Sequence, residues 1–209
     1  MRSQQAALQR GLDELALDLP GGAREKLLAY IELLAKWNKT YNLTAIRDPE
    51  KMISHHLLDS LAVLPHLPAG TLADIGSGGG LPGVPLAIAE PERHVTLNDA
   101  NHKKAAFLQQ AVIELKLPNA VVHVGRVQAW LPVQPFDCVI TRGFAELADY
   151  ITACRHLLAP GGLLAAMKGV FPQAELERVP TGAACRDVRR LQVPLLEAQR
   201  HLVLCRCQG

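Results

Sequence analysis

Leu72-Ala73-Asp74-Ile75-Gly76-Ser77-Gly78-Gly79-Gly80-Leu81-Pro82-Gly83 is the stretch whose reading decides the fold. A short apolar run leads into an acid, then glycines recur at alternate positions, then a proline stands where a helix can open. The pattern predicts a strand over 71–75, a tight loop and a helix over 82–89. Glycines let the backbone take positive φ and let a ligand approach the main chain. Unpaired N–H groups at the helix start face whatever sits in the loop. A nucleotide-like cofactor is the expectation.

The glycines leave the ligand open. Residues 78–83 fit G-x-G-x-x-G, and Asp99 follows about twenty residues on, as a dinucleotide site requires. A flexible glycine turn fits the same residues. Asp74 separates the alternatives. S-adenosylmethionine carries an ammonium and a sulfonium and no phosphate, so a carboxylate belongs beside it. A pyrophosphate would be repelled.

Working outward, the texture downstream alternates strand and helix. Strands are expected at 94–97, 120–124, 136–141 and 163–168, with a closing pair near 184–193 and 202–207. Helices are expected at 101–117, 145–158 and 172–177, with a turn at Ala159-Pro160-Gly161-Gly162. This predicts an α/β fold built on a parallel sheet covered on both faces. Upstream the chain is helical. Leu8, Leu12, Leu15 and Leu19 fall at helical spacing, Pro20-Gly21-Gly22 breaks the chain, and Leu27, Leu28, Ile31, Leu34 and Trp37 form an apolar stripe. Asp48-Pro49 reads as an N-cap with proline at the first helical position. The division expected is a helical extension over 1–69 and a cofactor-binding domain over 70–209.

Ligands in such sheets sit at the carboxyl ends of the strands. Asp99, with Ala100 beside it, ends the second strand, where an acid can accept both hydroxyls of a ribose. Gly125-Arg126-Val127-Gln128 follows the third strand and reads either as an adenine site or as a helix-start loop. Arg142 ends the fourth strand, where a guanidinium can grip a carboxylate or phosphate. Lys168 ends the fifth and reads either as a phosphate contact or as a solvated lysine. Asp74, Gly76, Ser77, Gly78, Gly80, Leu81, Asp99, Ala100, Val127, Gln128 and Arg142 make up the candidate cofactor set. Lys36, Lys39, Arg47, Lys103, Lys104 and Lys168 are the candidate RNA contacts. Trp37 lies on the apolar stripe and reads as core. His56 reads as a packed, hydrogen-bonded histidine, not as a base.

The chain has 209 residues, 49% hydrophobic and 20% charged, enough for one core. A net charge of +2 rules out a uniformly basic surface, so a nucleic acid must be met by a local basic face. No apolar run is long enough to span a bilayer and no signal pattern opens the chain. No His/Cys cluster has metal spacing. Cys138, Cys154, Cys185, Cys205 and Cys207 are expected as free thiols in a reducing cytoplasm, and the protein as a monomer.

Five motifs together resemble one family. They are Lys36-Trp37-Asn38-Lys39-Thr40-Tyr41-Asn42-Leu43-Thr44, His56-Leu57-Leu58-Asp59-Ser60-Leu61, the loop at 74–83, Thr141-Arg142-Gly143-Phe144-Ala145 and Met167-Lys168-Gly169, with Arg200-His201-Leu202-Val203 near the end. The chain resembles the bacterial ribosomal small-subunit methyltransferase G family over about residues 33–203. The resemblance implies a Rossmann-like class I methyltransferase fold with a mostly parallel seven-stranded sheet. It implies S-adenosylmethionine as cofactor, 16S ribosomal RNA or the small ribosomal subunit as partner, and methyl transfer to N7 of a guanine. It places Gly76, Leu81, Val127, Gln128 and Arg142 at the family's cofactor positions. Gln128 stands where the family usually has glutamate, Gly143 where it has alanine and Ala100 where serine is common. No catalytic side chain is expected beyond Arg142 as a positioning residue. The competing readings are a Rossmann-type oxidoreductase and a non-catalytic RNA-binding protein that senses S-adenosylmethionine.

Overall fold

The computed structural model describes residues 2–144 and 146–207. Seven strands form one sheet: β1 Leu72–Ile75, β2 Val95–Asp99, β3 Ala120–Val124, β4 Phe136–Arg142, β5 Leu158–Lys168, β6 Ala183–Arg190 and β7 His201–Cys207. Their order is β3-β2-β1-β4-β5-β7-β6, and every pairing is parallel except those of β7. The central strands are mostly apolar because both faces are covered: all four residues of β1 are buried, Asp74 among them. Strand order reverses direction between β1 and β4. The Thr141 hydroxyl donates to the Ile75 carbonyl (2.8 Å) across that switch, pinning the two carboxyl ends together.

Helices α1 Arg2–Glu14, α2 Ala23–Tyr41, α3 Pro49–Met52 and α4 Asp59–Leu61 precede the sheet. On α2, Leu27, Tyr30, Ile31 and Leu34 repeat at one-face spacing and are all buried. Asp48 caps α3 by accepting from the Glu50 N–H (2.9 Å), with Pro49 just inside, as its sequence predicts. Between α3 and α4 the helix widens. Residues Ile53–Leu58 form a π-helical turn, and the Asp59 N–H reaches the Ser54 carbonyl five residues back. Helices α5 Gly83–Ala89, α6 His102–Glu114, α7 Leu147–Cys154 and α8 Gln173–Leu176 follow the strands. The expected start of the seventh helix, at Ala145, lies outside the described residues. One apolar core runs from Leu8 and Leu61 in the helices to Leu72, Leu97 and Leu204 in the strands. The segments before and after residue 70 share it.

Two expectations are corrected. Residues 159–162 are not a turn before a strand but a bulged part of β5: Phe136 pairs with Leu158 and Cys138 with Leu163, so the Pro-Gly-Gly stretch is looped out within the ladder. And the cysteines are not all free. Cys185 and Cys205 are disulfide-bonded, with Cα atoms 4.1 Å apart. Ala184 pairs with Arg206, so one residue further on Cys185 of β6 falls opposite Cys205 of β7. Spacing along the chain cannot reveal such a register. Cys138 and Cys154 are buried free thiols, and Cys207 is a half-buried one.

Candidate functional site

The glycine loop leaves β1 with Gly76, Gly78 and Gly80 at φ of 69°, 58° and 85°, a conformation that side chains with a Cβ resist. Asp74 builds the loop from below. Its Oδ2 accepts from the Ser77 hydroxyl (2.7 Å) and the Gly83 N–H (2.9 Å). Its Oδ1 has no hydrogen-bond partner among the described residues. Burial pushes this carboxyl up to about 6, against the pull of the Ser77 and Gly83 donors. A buried carboxylate with one oxygen unsatisfied fits a cationic ligand and repels a pyrophosphate.

Asp99 closes the loop from the side. Its Oδ2 accepts from the Gly78 N–H (2.9 Å) and its Oδ1 from the Asn101 N–H (2.8 Å). Each oxygen keeps a second lone pair for a ribose hydroxyl. Ala100 beside it is exposed. Leu81 and Val127 are buried, Gly76 and Gln128 exposed. The loop carrying Val127 and Gln128 is clamped by Asn98, whose Nδ2 donates to the carbonyls of His123 (3.2 Å) and Gly125 (2.9 Å). The candidate cofactor residues thus gather at the carboxyl ends of β1, β2, β3 and β4.

Sequence reasoning missed Tyr30. This buried tyrosine on α2 donates its hydroxyl to the Gly79 carbonyl, so the helical extension holds the tip of the glycine loop. Burial holds its phenol far above the usual range. An apolar stripe offers no signal that one aromatic carries a polar tip to a distant loop.

Arg142 is held more tightly than a free cleft residue. Its Nη1 donates to the His55 carbonyl (3.1 Å) and to Asp59 Oδ2 (3.1 Å). The other oxygen, Asp59 Oδ1, accepts from Arg200 Nε (2.9 Å). One buried carboxylate on the widened helix therefore bridges two arginines from β4 and from the entry to β7. The sequence signals for Asp59 are its place in the His56–Leu61 motif and an acid amid an apolar run, and neither assigns it a partner. Nε and Nη2 of Arg142 and Nη2 of Arg200 bond to nothing among the described residues, so both can serve a ligand. They line a cavity of about 430 Å³ with Thr44, His56, Gly143 and Lys168. His56 Nδ1 donates to the His55 carbonyl (2.9 Å), leaving Nε2 to accept from the Thr44 hydroxyl (2.8 Å). Burial first, and the Arg142 charge second, lower the imidazole to about 4. It is buried and hydrogen-bonded, and its lowered pKa favours the neutral ring.

Lys168 is not a solvated lysine. Its ammonium pairs with Glu175 (2.7 Å) and reaches the Phe144 carbonyl (3.3 Å). Trp37 packs on the core and meets Phe107 of α6 edge-on (5.6 Å between centroids). That contact packs α2, which carries Lys36 and Lys39, against α6, which carries Lys103 and Lys104. Lys36, Lys39 and Lys103 are exposed and Lys104 is half-buried. Arg47 is exposed on the loop that follows α2. Among the described residues there is no group of three potential metal ligands and no helix long and apolar enough to cross a membrane.

Comparison with known proteins places this geometry. The chain is similar to DhpI, solved as a complex with SAH, at 19% identity and a TM-score of 0.57, covering 91% of this chain and 99% of that one. It is similar to TrmN from Thermus thermophilus at 18% identity and a TM-score of 0.55, covering 74% and 53%. These likenesses show a Rossmann-like methyltransferase fold. Curated relatives are much nearer in sequence. "Ribosomal RNA small subunit methyltransferase G" of Neisseria meningitidis serogroup A is 55% identical, over 94% of this chain and 95% of its own length. The proteins of the same name from Methylobacillus flagellatus and Chromobacterium violaceum are 54% and 52% identical, over 95% of this chain. The family described as "GidB: rRNA small subunit methyltransferase G" matches residues 23–203, and the chain belongs to that family.

Proposed function

We propose that this protein transfers a methyl group from S-adenosylmethionine to N7 of a guanine in 16S ribosomal RNA. The observation that carries the reading is the meeting at one sheet edge of the glycine loop, Asp99 and Arg142, in a chain more than half identical to relatives named for this class of reaction. The half-satisfied Asp74 favours a cationic cofactor over a dinucleotide.

Bound S-adenosylmethionine supplies a methyl group already activated on a sulfonium. The residues of the chain hold and orient. Asp99 takes the ribose hydroxyls while fixing the Gly78 backbone. Asn98 holds the 125–128 loop for the adenine edge, where Gln128 serves as a neutral hydrogen-bonding group. Arg142, fixed by Asp59, stands where cofactor and guanine meet. Guanine N7 has an in-plane lone pair and no proton to lose, so the reaction needs no general base. Positioning and exclusion of water carry the rate. A base inside a helix must be turned out to reach the methyl group. Lys36, Lys39, Arg47, Lys103 and Lys104 grip the RNA backbone, and Lys168 acts through its pair with Glu175 at the cleft mouth. The protein works as a monomer in the cytoplasm.

Mapping N7-methylated guanines in ribosomal RNA from cells with and without the gene tests the reading. One guanine should lose its methyl group in the deletion and regain it with purified protein and S-adenosylmethionine. Binding of NAD in place of S-adenosylmethionine, or an unchanged methylation map, overturns it.

A further inference from the structure

Apart from Arg142, Lys168 and Arg200 at the cleft, the basic residues considered so far lie on α2, its following loop and α6, and α6 packs at the β2–β3 end of the strand order. The strongest remaining concentration of positive charge lies at the opposite end. Strand β6 is an edge strand with the sequence Ala183-Ala184-Cys185-Arg186-Asp187-Val188-Arg189-Arg190. Arg186, Arg189 and Arg190 are exposed, as is Arg206 on the neighbouring β7. Four arginines against one Asp187 leave three positive charges, while the whole chain carries only +2. The edge is thus a second local concentration of positive charge, separate from the lysines of α2 and α6.

The edge is also shaped. Arg186, Arg189 and Arg206 line a cavity of about 500 Å³ with Asp187, His66 and Pro68. Arg189 is fixed: Nη2 pairs with Asp187 (2.8 Å) and Nη1 meets His66 Nδ1 (2.9 Å). Partial burial, and after it the Arg189 charge, lower the His66 pKa, which favours the neutral ring whose Nδ1 accepts from Arg189. The side chains of Arg186 and Arg190 make no hydrogen bond or ion pair among the described residues. Arg190 pairs in register with His201, and His201 with Lys168, so the arginine row begins at the cleft edge and runs away along β6. Charged residues on an edge strand also deter strand pairing. That role is served by either sign and needs no cavity, no fixed arginine and no alignment with the cleft.

We propose that the Arg186–Arg190 edge, with Arg206, is a second RNA-backbone contact surface. It binds phosphodiesters of the substrate RNA on the flank of the cleft opposite the lysines. The inference rests on the ribosomal RNA reading above. From β2 to β6 there are five strand spacings, so the two flanks stand about 24 Å apart. An RNA held at both flanks lies across the cleft, with its target base between them.

The test reverses the two unpartnered arginines, in the double variant Arg186→Glu and Arg190→Glu. A control, Arg2→Glu with Arg24→Glu, changes net charge equally at exposed positions that line neither of the cavities lined by Arg186 and Arg190. Affinity for 16S ribosomal RNA is measured against salt, and S-adenosylmethionine affinity by calorimetry. The edge variant should bind RNA at least about tenfold more weakly at 0.1 M salt, with the slope of log affinity against log salt shallower by about 1 to 2. Its cofactor affinity and melting temperature should match wild type, and the control should bind RNA as wild type does. RNA affinity and salt slope unchanged in the edge variant overturn the proposal, and so do equal losses in edge variant and control. Unchanged binding to naked RNA, with loss only on assembled subunits, also overturns it, assigning the edge to a protein partner. If wild type itself neither binds nor methylates RNA, the functional reading fails, and that result is separate from any effect of the variants. Should the double reversal melt early, Arg186→Gln with Arg190→Gln gives the same comparison.

Discussion

Asp59 and Arg142 stand 3.1 Å apart, an acid on a π-widened helix of the N-terminal segment and a guanidinium at the end of a central strand. The Asp59 side chain is only 3% exposed, and its second oxygen holds Arg200. Removing one partner from such a set leaves buried charge uncompensated. Asp59→Asn should destabilise the fold by about 3 kcal/mol and lower the single-turnover methylation rate by releasing Arg142. Urea unfolding and rapid-quench assays measure the two effects. An Asn variant with wild-type stability and rate would show that Asp59 does not set Arg142.

Tyr30→Phe removes only the hydroxyl that donates to Gly79. A buried carbonyl then loses its partner, at about 1 to 3 kcal/mol. S-adenosylmethionine affinity should fall as well, because the loop tip is no longer held. Calorimetry showing full affinity would confine Tyr30 to packing.

Two buried groups give the protein opposed pH responses. Burial holds His56 at about 4, below the ordinary 6.5. The unfolded chain therefore binds the proton more readily. The stability gained from neutral His56 is fully present above pH 6.5 and is lost as pH falls toward 4. The difference in unfolding free energy between wild type and His56→Gln should grow from pH 4 to 6.5 and be flat above. A difference independent of pH would mean that His56 titrates alike in both states.

Asp74 works the other way. Its folded value near 6 lies above the ordinary 3.8, so its contribution to stability falls as pH rises from 3.8 to 6. A bound cation favours the carboxylate, so S-adenosylmethionine affinity should rise as pH increases through 6, with release of a proton. Calorimetry at pH 5.5 in buffers of different ionisation enthalpy measures that proton. Asp74→Asn should abolish the release.

N7 needs no deprotonation, and the groups nearest to serving as a base are otherwise engaged. His56 holds Thr44, and Glu146 pairs with Arg178 (3.1 Å). His56→Gln and Glu146→Gln should keep single-turnover methylation within about threefold of wild type, whereas Arg142→Ala should lose about a hundredfold or more, as removal of a positioning charge does. A rate that follows the titration of one base, and is lost in either variant, would move the target to an atom that must shed a proton.

The sheet was legible because its central strands announce themselves. Leu72–Ile75 and Phe136–Arg142 are short, mainly apolar segments bounded by turn residues and loop glycines, and burial on both faces favours that composition. The loop and its acids were legible because glycine at alternate positions has few other uses. What stayed hidden depends on register and distance. Pro160-Gly161-Gly162 looks like a turn and is a bulge, since a neighbouring strand supplies the ladder on either side of it. Cys185 meets Cys205 through a strand pairing that spacing cannot show. Asp59 and Arg200 lie 141 residues apart, and only the fold makes them neighbours. Lys168 drew attention by its place at a strand end, yet Glu175 on a four-residue helix gives it a partner that no periodicity predicts.

The Tyr30 bond to Gly79 also bears on engineering. A graft that keeps residues 70–209 and swaps in a different helical segment would inherit the glycine pattern but not the hydroxyl that anchors its tip. Such a chimera would carry a cofactor motif recognisable in every alignment and bind its ligand poorly. If Tyr30→Phe weakens cofactor binding as expected, portability of this loop depends on a tyrosine forty-nine residues upstream, outside any motif by which the loop would be chosen.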